Sequence, residues 1–319
     1  MHKSNIDLSV LLIFFARPNT LSEVFKKVKE ARPSRLFLAC DGPRDNNPQD
    51  MERIEECKKI VSDIDWECEV YTNYSKENLG CGKGPANAIS WAFRSTDKLV
   101  ILEDDCVPDD TFFPYMKELL DFYENDSRIG LISGFNHFKH WDCNGDSYAF
   151  TKTGATLGWG TWKRVWENYD FYIKDIEDPY ISNLLQNEVI HKRAGKNRVA
   201  DWKRTAKETQ IKKVNYWDYQ FGFVKYSQSY LTIVPTGNLI YNIGVGAGST
   251  HTENTKPVVW KPGRVLFMPT EPMVFPIKHP KYVICDRTYD ENFFEKIAYQ
   301  PRFIKLIRKI KRYIINFLK

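Results

Sequence analysis

VILEDDCVPDD, residues 100–110, joins two kinds of sequence that do not ordinarily touch. Val100, Ile101 and Leu102 form an apolar run, and Glu103, Asp104 and Asp105 follow at once. Three adjacent carboxylates repel one another, and a strand end projecting into a cleft is a costly place for them. Read alone, the triplet fits a solvated turn after a strand. It also fits a divalent cation site. Hard carboxylate oxygens suit manganese or magnesium, which are held through one or two carboxylates plus substrate phosphates.

Working outward, the chain alternates. Val10 to Ala16 is a continuous apolar run of strand length. Leu21, Val24, Phe25 and Val28 then recur at helical spacing, with Asn19 or Thr20 placed to cap that helix. Arg35 to Cys40 reads as a second strand and stops at the turn signal Asp41-Gly42-Pro43. Met51 to Ser62 reads as helix and Glu67 to Tyr71 as strand. LGCGKG (79–84) reads as a glycine-rich loop before a helix from Pro85 to Arg94. Leu99 to Leu102, Phe112 to Tyr123 and Ile129 to Ser133 continue as strand, helix and strand. This pattern predicts an α/β fold, a mainly parallel sheet with helices on both faces. Ligands bind such sheets at the carboxyl ends of the strands. Asp41, the 79–84 stretch and Glu103-Asp104-Asp105 all fall at predicted strand ends or in the loops after them, so they should line one edge.

The second half is less regular. Helices are expected near 160–168, 177–194 and 202–212, and a strand at Tyr230 to Val234. Asp218 sits in NYWDYQF (215–221), flanked by Trp217, Tyr219 and Phe221. Apolar neighbours of that kind raise a carboxylate's proton affinity, which suits a general base; a helix cap is the plainer reading. Trp159 and Trp162, at i and i+3 of a helix, fit either a sugar pocket or the core. Residues 253–300 are rich in proline and are expected to wrap the surface.

Bulk properties exclude several classes. Hydrophobic content of 42% with 27% charge gives a folded globular chain. A net charge of +5 over 319 residues calls for no nucleic-acid partner. The 7 cysteines are odd in number and irregularly spaced, which fits a reducing compartment and unpaired thiols. His137, His140 and Cys143 lack a clear fourth ligand for structural zinc. The run Val10 to Ala16 is too short to span a bilayer, and Arg17-Pro18-Asn19 follows it in place of a cleavage site.

Several motifs occur in one order: ARPNT, CDGPR, ENLGCGKG, LEDD, LGWGTWKRVW, YWDYQF and NIGVGAGSTHT. Over residues 8–254 this set resembles the GT-A fold glycosyltransferases. It is similar to the animal N-acetylglucosaminyltransferases that act on N-glycans, and more so to bacterial nucleotide-diphospho-sugar transferases of that fold. The resemblance implies a catalytic domain over 1–254 and does not cover the last 65 or so residues, which composition and spacing divide into a surface-wrapping extension over 255–300 and a basic terminal helix over 301–319. It implies an enzyme that moves a sugar from a nucleotide-diphosphate donor, UDP-linked, to a glycan or lipid-linked acceptor, with inversion and with Mn2+ or Mg2+ as cofactor.

By the same resemblance Asp105 ligates the metal, Asp104 faces the ribose and Glu103 touches donor-sugar hydroxyls. Arg17 and Asp41 contact the nucleotide, Asp41 through the uracil ring nitrogen. Lys83 lies near the diphosphate or is simply a surface lysine before a helix. Trp217 offers a ring to the donor sugar and Asp218 is the base, although Tyr219 stands where the animal enzymes have a second aspartate. The run Gly244, Gly246 and Gly248 lets Ser249, Thr250 and His251 close over the ligand, toward the diphosphate or the metal shell. Two alternatives stand beside this reading. A nucleotidyltransferase that makes the activated sugar would carry a glycine-rich loop after the first strand, where FFARPNTLSEV has no glycine. A non-catalytic carbohydrate-binding protein would leave the carboxylates unexplained.

RFIKLIRKIKRYIINFLK (302–319) repeats Phe303, Leu306, Ile307, Ile310, Ile314 and Phe317 at helical spacing, with Arg308, Lys309, Lys311 and Arg312 beside the stripe. A basic amphipathic helix fits an anionic membrane interface, or a final helix packed on the domain. The first of these predicts a cytoplasmic enzyme, peripheral on the inner face of the cytoplasmic membrane.

Overall fold

A computed structural model describes residues 2–211, 216–244 and 266–298. In chain order the elements are β1 (Ile6–Phe14), α1 (Pro18–Ala31), β2 (Pro33–Cys40), α2 (Gln49–Val61), β3 (Glu69–Tyr74), α3 (Gly80–Ala92), β4 (Lys98–Glu103) and β5 (Cys106–Pro108). There follow α4 (Phe112–Phe122), β6 (Ile129–Ser133), β7 (Tyr148–Thr151), β8 (Trp159–Trp162), α5 (Lys163–Trp166), α6 (Pro179–Glu188) and α7 (Lys192–Gln210). The described elements end with α8 (Asp218–Ser227), β9 (Leu231–Pro235), β10 (Ile240–Asn242) and α9 (Arg287–Asn292).

Eight strands form one sheet in the order β3-β2-β1-β4-β8-β6-β9-β7, and β5 pairs with β10 beside it. The pairs β3–β2, β2–β1, β1–β4 and β6–β9 are parallel, while β8 and β7 run against their neighbours. This is the expected α/β fold with a mostly parallel sheet. The long apolar runs form its centre because a strand covered on both faces has no side to leave polar. Val10, Leu11 and Leu12 of β1 and Val100, Ile101 and Leu102 of β4 have no exposed surface. Strand order reverses between β1 and β4, since β2 and β3 extend one way and β4 the other. That crevice is where open α/β sheets bind ligands.

Register decides what reaches the crevice. Ile13 of β1 lies level with Glu103, and Phe14 lies level with Cys40 of β2. The residues that follow these strands therefore emerge along one edge.

Three local expectations are corrected. Neither Asn19 nor Thr20 caps α1. Pro18 occupies the first helical turn, where its missing N–H removes no bond, and Arg17 is the capping residue with no side-chain cap bond. The stretch 79–84 is not a loop, because α3 begins at Gly80 and its first turn is held by Asp41 from across the crevice. The tryptophans at 159 and 162 are on a strand, not a helix. A strand turns successive side chains to opposite faces, so Trp162 reaches the Leu120 carbonyl of α4 (3.1 Å) while Trp159 meets Trp217 and Phe221. Both rings are buried core.

The predicted break between two later helices also moves. Asp178 caps α6 through the amides of Tyr180 (2.7 Å) and Ile181 (3.2 Å), and α7 starts beyond Val189 and runs unbroken to Gln210. These helices enclose a smaller core of Ile173, Ile176, Leu185, Trp202, Tyr226 and Phe294. The segment 266–298 buries Met268, Met273 and Ile277 in the main core and bonds along β7, with the Asp286 amide donating to the Phe150 carbonyl at 2.6 Å.

None of the seven cysteines forms a disulfide. No group of three or more His, Cys, Asp or Glu side chains converges as a metal cluster among the described residues. His140 pairs with Glu271 at 2.8 Å, and His137 lies between the rings of Phe135 and Phe293. No described helix is long and apolar enough to cross a membrane. The tail 302–319 lies outside the described residues.

Candidate active site

The end of β4 turns directly into β5, so Asp104 and Asp105 occupy a tight turn. Asp104 is buried and takes the Phe15 amide at 2.9 Å. Arg17, leaving β1 at the same level, lays its guanidinium across both aspartates. It pairs with Asp104 and reaches Asp105 Oδ2 at 3.0 Å. Asp105 also receives the Cys106 thiol at 3.3 Å on its other oxygen. From the far side β10 closes in. The Ile243 amide donates to the Asp105 carbonyl at 2.9 Å, and a Cβ at Gly244 would collide with Asp105 Oδ2. Glycine at 244 is therefore a space requirement set by the carboxylate.

The electrostatics follow from one guanidinium serving three carboxylates. Burial, then the charges of Asp105 and Asp104, push the Glu103 carboxyl above its ordinary range, and Arg17 opposes the shift. Burial raises Asp104 as well, against Arg17. For Arg17 burial acts against the charge, yet the two aspartates hold it firmly protonated. A proton on Glu103, raised to about 8, relieves part of the repulsion, and the two aspartates still share a single guanidinium.

Asp41, after β2, faces the N-terminus of α3. Its oxygens accept the amides of Gly42 (3.0 Å), Leu79 (2.8 Å) and Gly80 (2.7 Å). Helix N-termini carry unpaired N–H groups and a partial positive charge, so a carboxylate there is well placed. Burial raises the Asp41 carboxyl, and the three amides oppose it. Lys83 lies on α3, half-buried, with no ion pair among the described residues.

Asp218 is the first residue of α8. The capping residue is Trp217, one position before it. Trp217 is buried and stacks on Trp159 at 5.6 Å and 19°, beside Phe221 and Trp166. The expectation that these rings desolvate Asp218 is corrected: they pack inward and leave its side chain exposed. Its charge nonetheless adds to the upward push on Glu103, so the structure brings it into the field of the β4 turn.

Sequence reasoning missed Tyr169. Its hydroxyl donates to the Trp217 carbonyl at 3.1 Å, its ring stacks on Trp166 at 4.3 Å, and Asp218 raises its pKa after burial. An aromatic with a polar tip three residues after Trp166 was the available signal. The Phe15 amide had none. Ser249, Thr250 and His251 lie outside the described residues.

Two surface depressions, of about 390 and 290 Å3, lie away from the carboxylates, around Lys163 and Glu167. The second reaches Tyr169. Neither is lined by Arg17, Asp41, Asp218 or the Glu103-Asp104-Asp105 turn.

Comparison with solved structures returns distant likenesses. S. aureus TarS is 10% identical with a TM-score of 0.40, over 74% of this chain and 60% of that one. A cytidylyltransferase from Leptospira borgpetersenii serovar Hardjo-bovis is 13% identical with a TM-score of 0.30, over 52% of this chain and 64% of that one. A UDP-glucose pyrophosphorylase, solved with UDP-glucose, is 10% identical with a TM-score of 0.29, over 50% of this chain and 78% of that one. The chain spans less than two thirds of the first two. Likenesses this distant bear on no individual residue. No family model matches the chain, and no curated protein does.

Proposed function

We propose that the chain is a metal-dependent glycosyltransferase that uses a nucleotide-diphosphate sugar, UDP-linked, and inverts configuration. The observation that carries this reading is the convergence of Arg17 and Glu103-Asp104-Asp105 at the reversal between β1 and β4, with Asp218 in the same field. Residues 1–254 form the catalytic domain in this reading, with 255–300 as an extension around it and 301–319 as a basic interfacial helix.

The donor set fits a hard divalent cation, Mn2+ or Mg2+. It is made of carboxylate oxygens and keeps negative charge after pairing with Arg17. Asp105, with His251 beyond the described residues, would hold the metal, which would neutralise the leaving diphosphate. Asp104 and Asp41 take the nucleoside, and Glu103 the sugar hydroxyls. Arg17, Lys83, Ser249 and Thr250 face the phosphates, and Trp217 backs the sugar.

In the transfer step the acceptor oxygen bonds to the anomeric carbon as its proton passes to the Asp218 carboxylate. The bond from that carbon to the nucleoside diphosphate breaks, and the diphosphate leaves with the electron pair. An exposed Asp218 suits an acceptor glycan or lipid-linked sugar, which must arrive from outside. The basic stripe at 302–319 would bring the enzyme to an anionic membrane, each basic group contributing about 1 kcal/mol there.

Calorimetry with UDP, with and without Mn2+, followed by a panel of nucleotide sugars, tests the reading. Metal-dependent UDP binding and sugar release support it. Turnover of a nucleoside triphosphate with a sugar phosphate would instead make the protein a nucleotidyltransferase. Flotation of the full chain with anionic and neutral liposomes tests the tail, and indifference to anionic liposomes at low salt would discard the anchor.

A further inference from the structure

Arg17 does more in this geometry than a nucleotide contact requires. Its fork spans two carboxylates, and one of them, Asp105, is the side chain to which the proposed function gives the metal. The two aspartates depend on it unequally. Asp104 is buried and keeps the Phe15 amide at 2.9 Å whatever Arg17 does. Among the described residues, the side chain of Asp105 has Arg17 at 3.0 Å on Oδ2 and the Cys106 thiol at 3.3 Å on Oδ1. Withdrawal of the arginine would therefore leave Asp104 anchored and make Asp105 available.

The Gly244 backbone also crowds Asp105 Oδ2, since a Cβ there would collide with that oxygen. A Mg2+ ion sits about 2.0–2.1 Å from its oxygen ligands. A guanidinium already bonded to the same oxygen would leave two cations a few ångströms apart, and they would repel.

We propose that Arg17 is a charge switch: its guanidinium and the divalent cation compete for Asp105, and the donor diphosphate draws the arginine away. This inference rests on the nucleotide-sugar reading of the site. Arginine is suited to the exchange because its planar fork matches a phosphate as well as it matches a carboxylate. Its side chain is one-fifth exposed, so it has a way out toward the crevice. The switch makes metal and nucleotide bind in mutual support, because each removes what opposes the other. Such coupling is reciprocal.

The test is calorimetric titration of the full chain with Mn2+ alone, with UDP alone and with both, in wild type, Arg17→Met and Asp105→Asn. Arg17→Met should bind Mn2+ alone about tenfold more tightly than wild type, within the range usual for coupled sites. It should bind UDP more weakly, and the mutual enhancement should shrink. An Arg17→Met protein that keeps its circular dichroism and shows unchanged or weaker Mn2+ affinity overturns the switch. If Arg17→Met does not fold, Arg17→Lys serves. A lysine cannot span both aspartates, so it should tighten Mn2+ binding by a smaller factor, and unchanged affinity again overturns the proposal. Asp105→Asn separates the two levels. If Mn2+ binding is unaffected there, the metal site itself is misplaced; if it is lost there while Arg17→Met leaves it unchanged, the switch alone fails.

Discussion

Two regions of the molecule draw basic and acidic side chains out of water together, and they settle the charge in opposite ways. At the β4 turn, one guanidinium serves Asp104 and Asp105 while Glu103 stays raised by its neighbours. Toward the β7 edge, Lys225 and Asp290 are both buried, and each is satisfied by neutral groups. The Lys225 ammonium reaches the carbonyls of Thr153 and Gly154 at 3.2 Å and the Thr232 hydroxyl at 3.3 Å. Asp290 accepts the amides of Lys152 (2.9 Å) and Thr153 (3.1 Å) and the Thr153 hydroxyl (2.8 Å). A polar group whose partners are all internal holds a fold together. A cluster with surplus like charge at a strand end is incomplete without something from outside.

Substitutions at the incomplete cluster should therefore remove binding or chemistry with little loss of fold. Asp105→Ala is expected to abolish metal-dependent UDP binding, because it removes both charge and geometry. Asp109→Ala, just past the end of β5, should leave binding nearly intact. Its carboxylate only holds the Thr111 amide (2.9 Å) and hydroxyl (2.6 Å) ahead of α4. Calorimetry on both variants checks the contrast, and equal losses would dissolve it.

Asp218→Asn comes next. It should keep donor binding and lose transfer by more than about 100-fold, since the amide cannot accept the acceptor proton. Near-normal turnover would place the base elsewhere or indicate retention of configuration.

The contrast also bears on what could be read in advance. Val10 to Ser133 was legible because buried parallel strands are unbroken apolar runs, and the helices between them keep their period. The strands β5, β7, β8 and β10 have three or four residues each, too few for a pattern to show. WGTW looked helical because tryptophans three apart share a helix face; on a strand they point to opposite faces. The stretch 79–84 looked like a loop because glycine disfavours helix, and the carboxylate that holds its first turn is Asp41, far away in sequence. The shared edge of Asp41, the 79–84 stretch and the triplet followed from their places at predicted strand ends. The ion pair of Arg17 with Asp104 did not, because it depends on register between β1 and β4. Nothing in the sequence pointed to the Lys225–Asp290 region, whose partners are mostly backbone atoms.

At the satisfied region the effects should be on stability. Asp290→Ala should destabilise the fold by about 2–4 kcal/mol, because it strands two amides and a hydroxyl in one step. Urea unfolding at neutral pH measures this. A loss well under 1 kcal/mol, roughly the scale of a surface change, would mean water replaces the carboxylate.

The last effect is the most specific, because it is read per pH unit. Burial, with Arg198 adding to it and Asp290 opposing, brings the Lys225 pKa down to about 7. Its three bonds, at 3.2–3.3 Å, are too long to hold an ammonium strongly against that burial. The unfolded chain keeps this lysine protonated up to its ordinary range near 10.4. Between about 7 and that value the unfolded state binds more protons, so the contribution of Lys225 to stability rises with pH. Below about 7 the native lysine is charged too and the slope vanishes, leaving the full burden of a buried charge. Lys225→Met removes the titration while preserving most of the volume. The stability difference, wild type minus Lys225→Met, should therefore climb by up to about 1.4 kcal/mol per pH unit across this window. Taking the difference cancels every other titrating group, including the carboxylates of the β4 turn. A difference that stays flat from neutral to alkaline pH would show that Lys225 remains charged in the native state. The neutral acceptors would then carry more charge than their distances suggest, and the distinction between the two regions would narrow to Glu103.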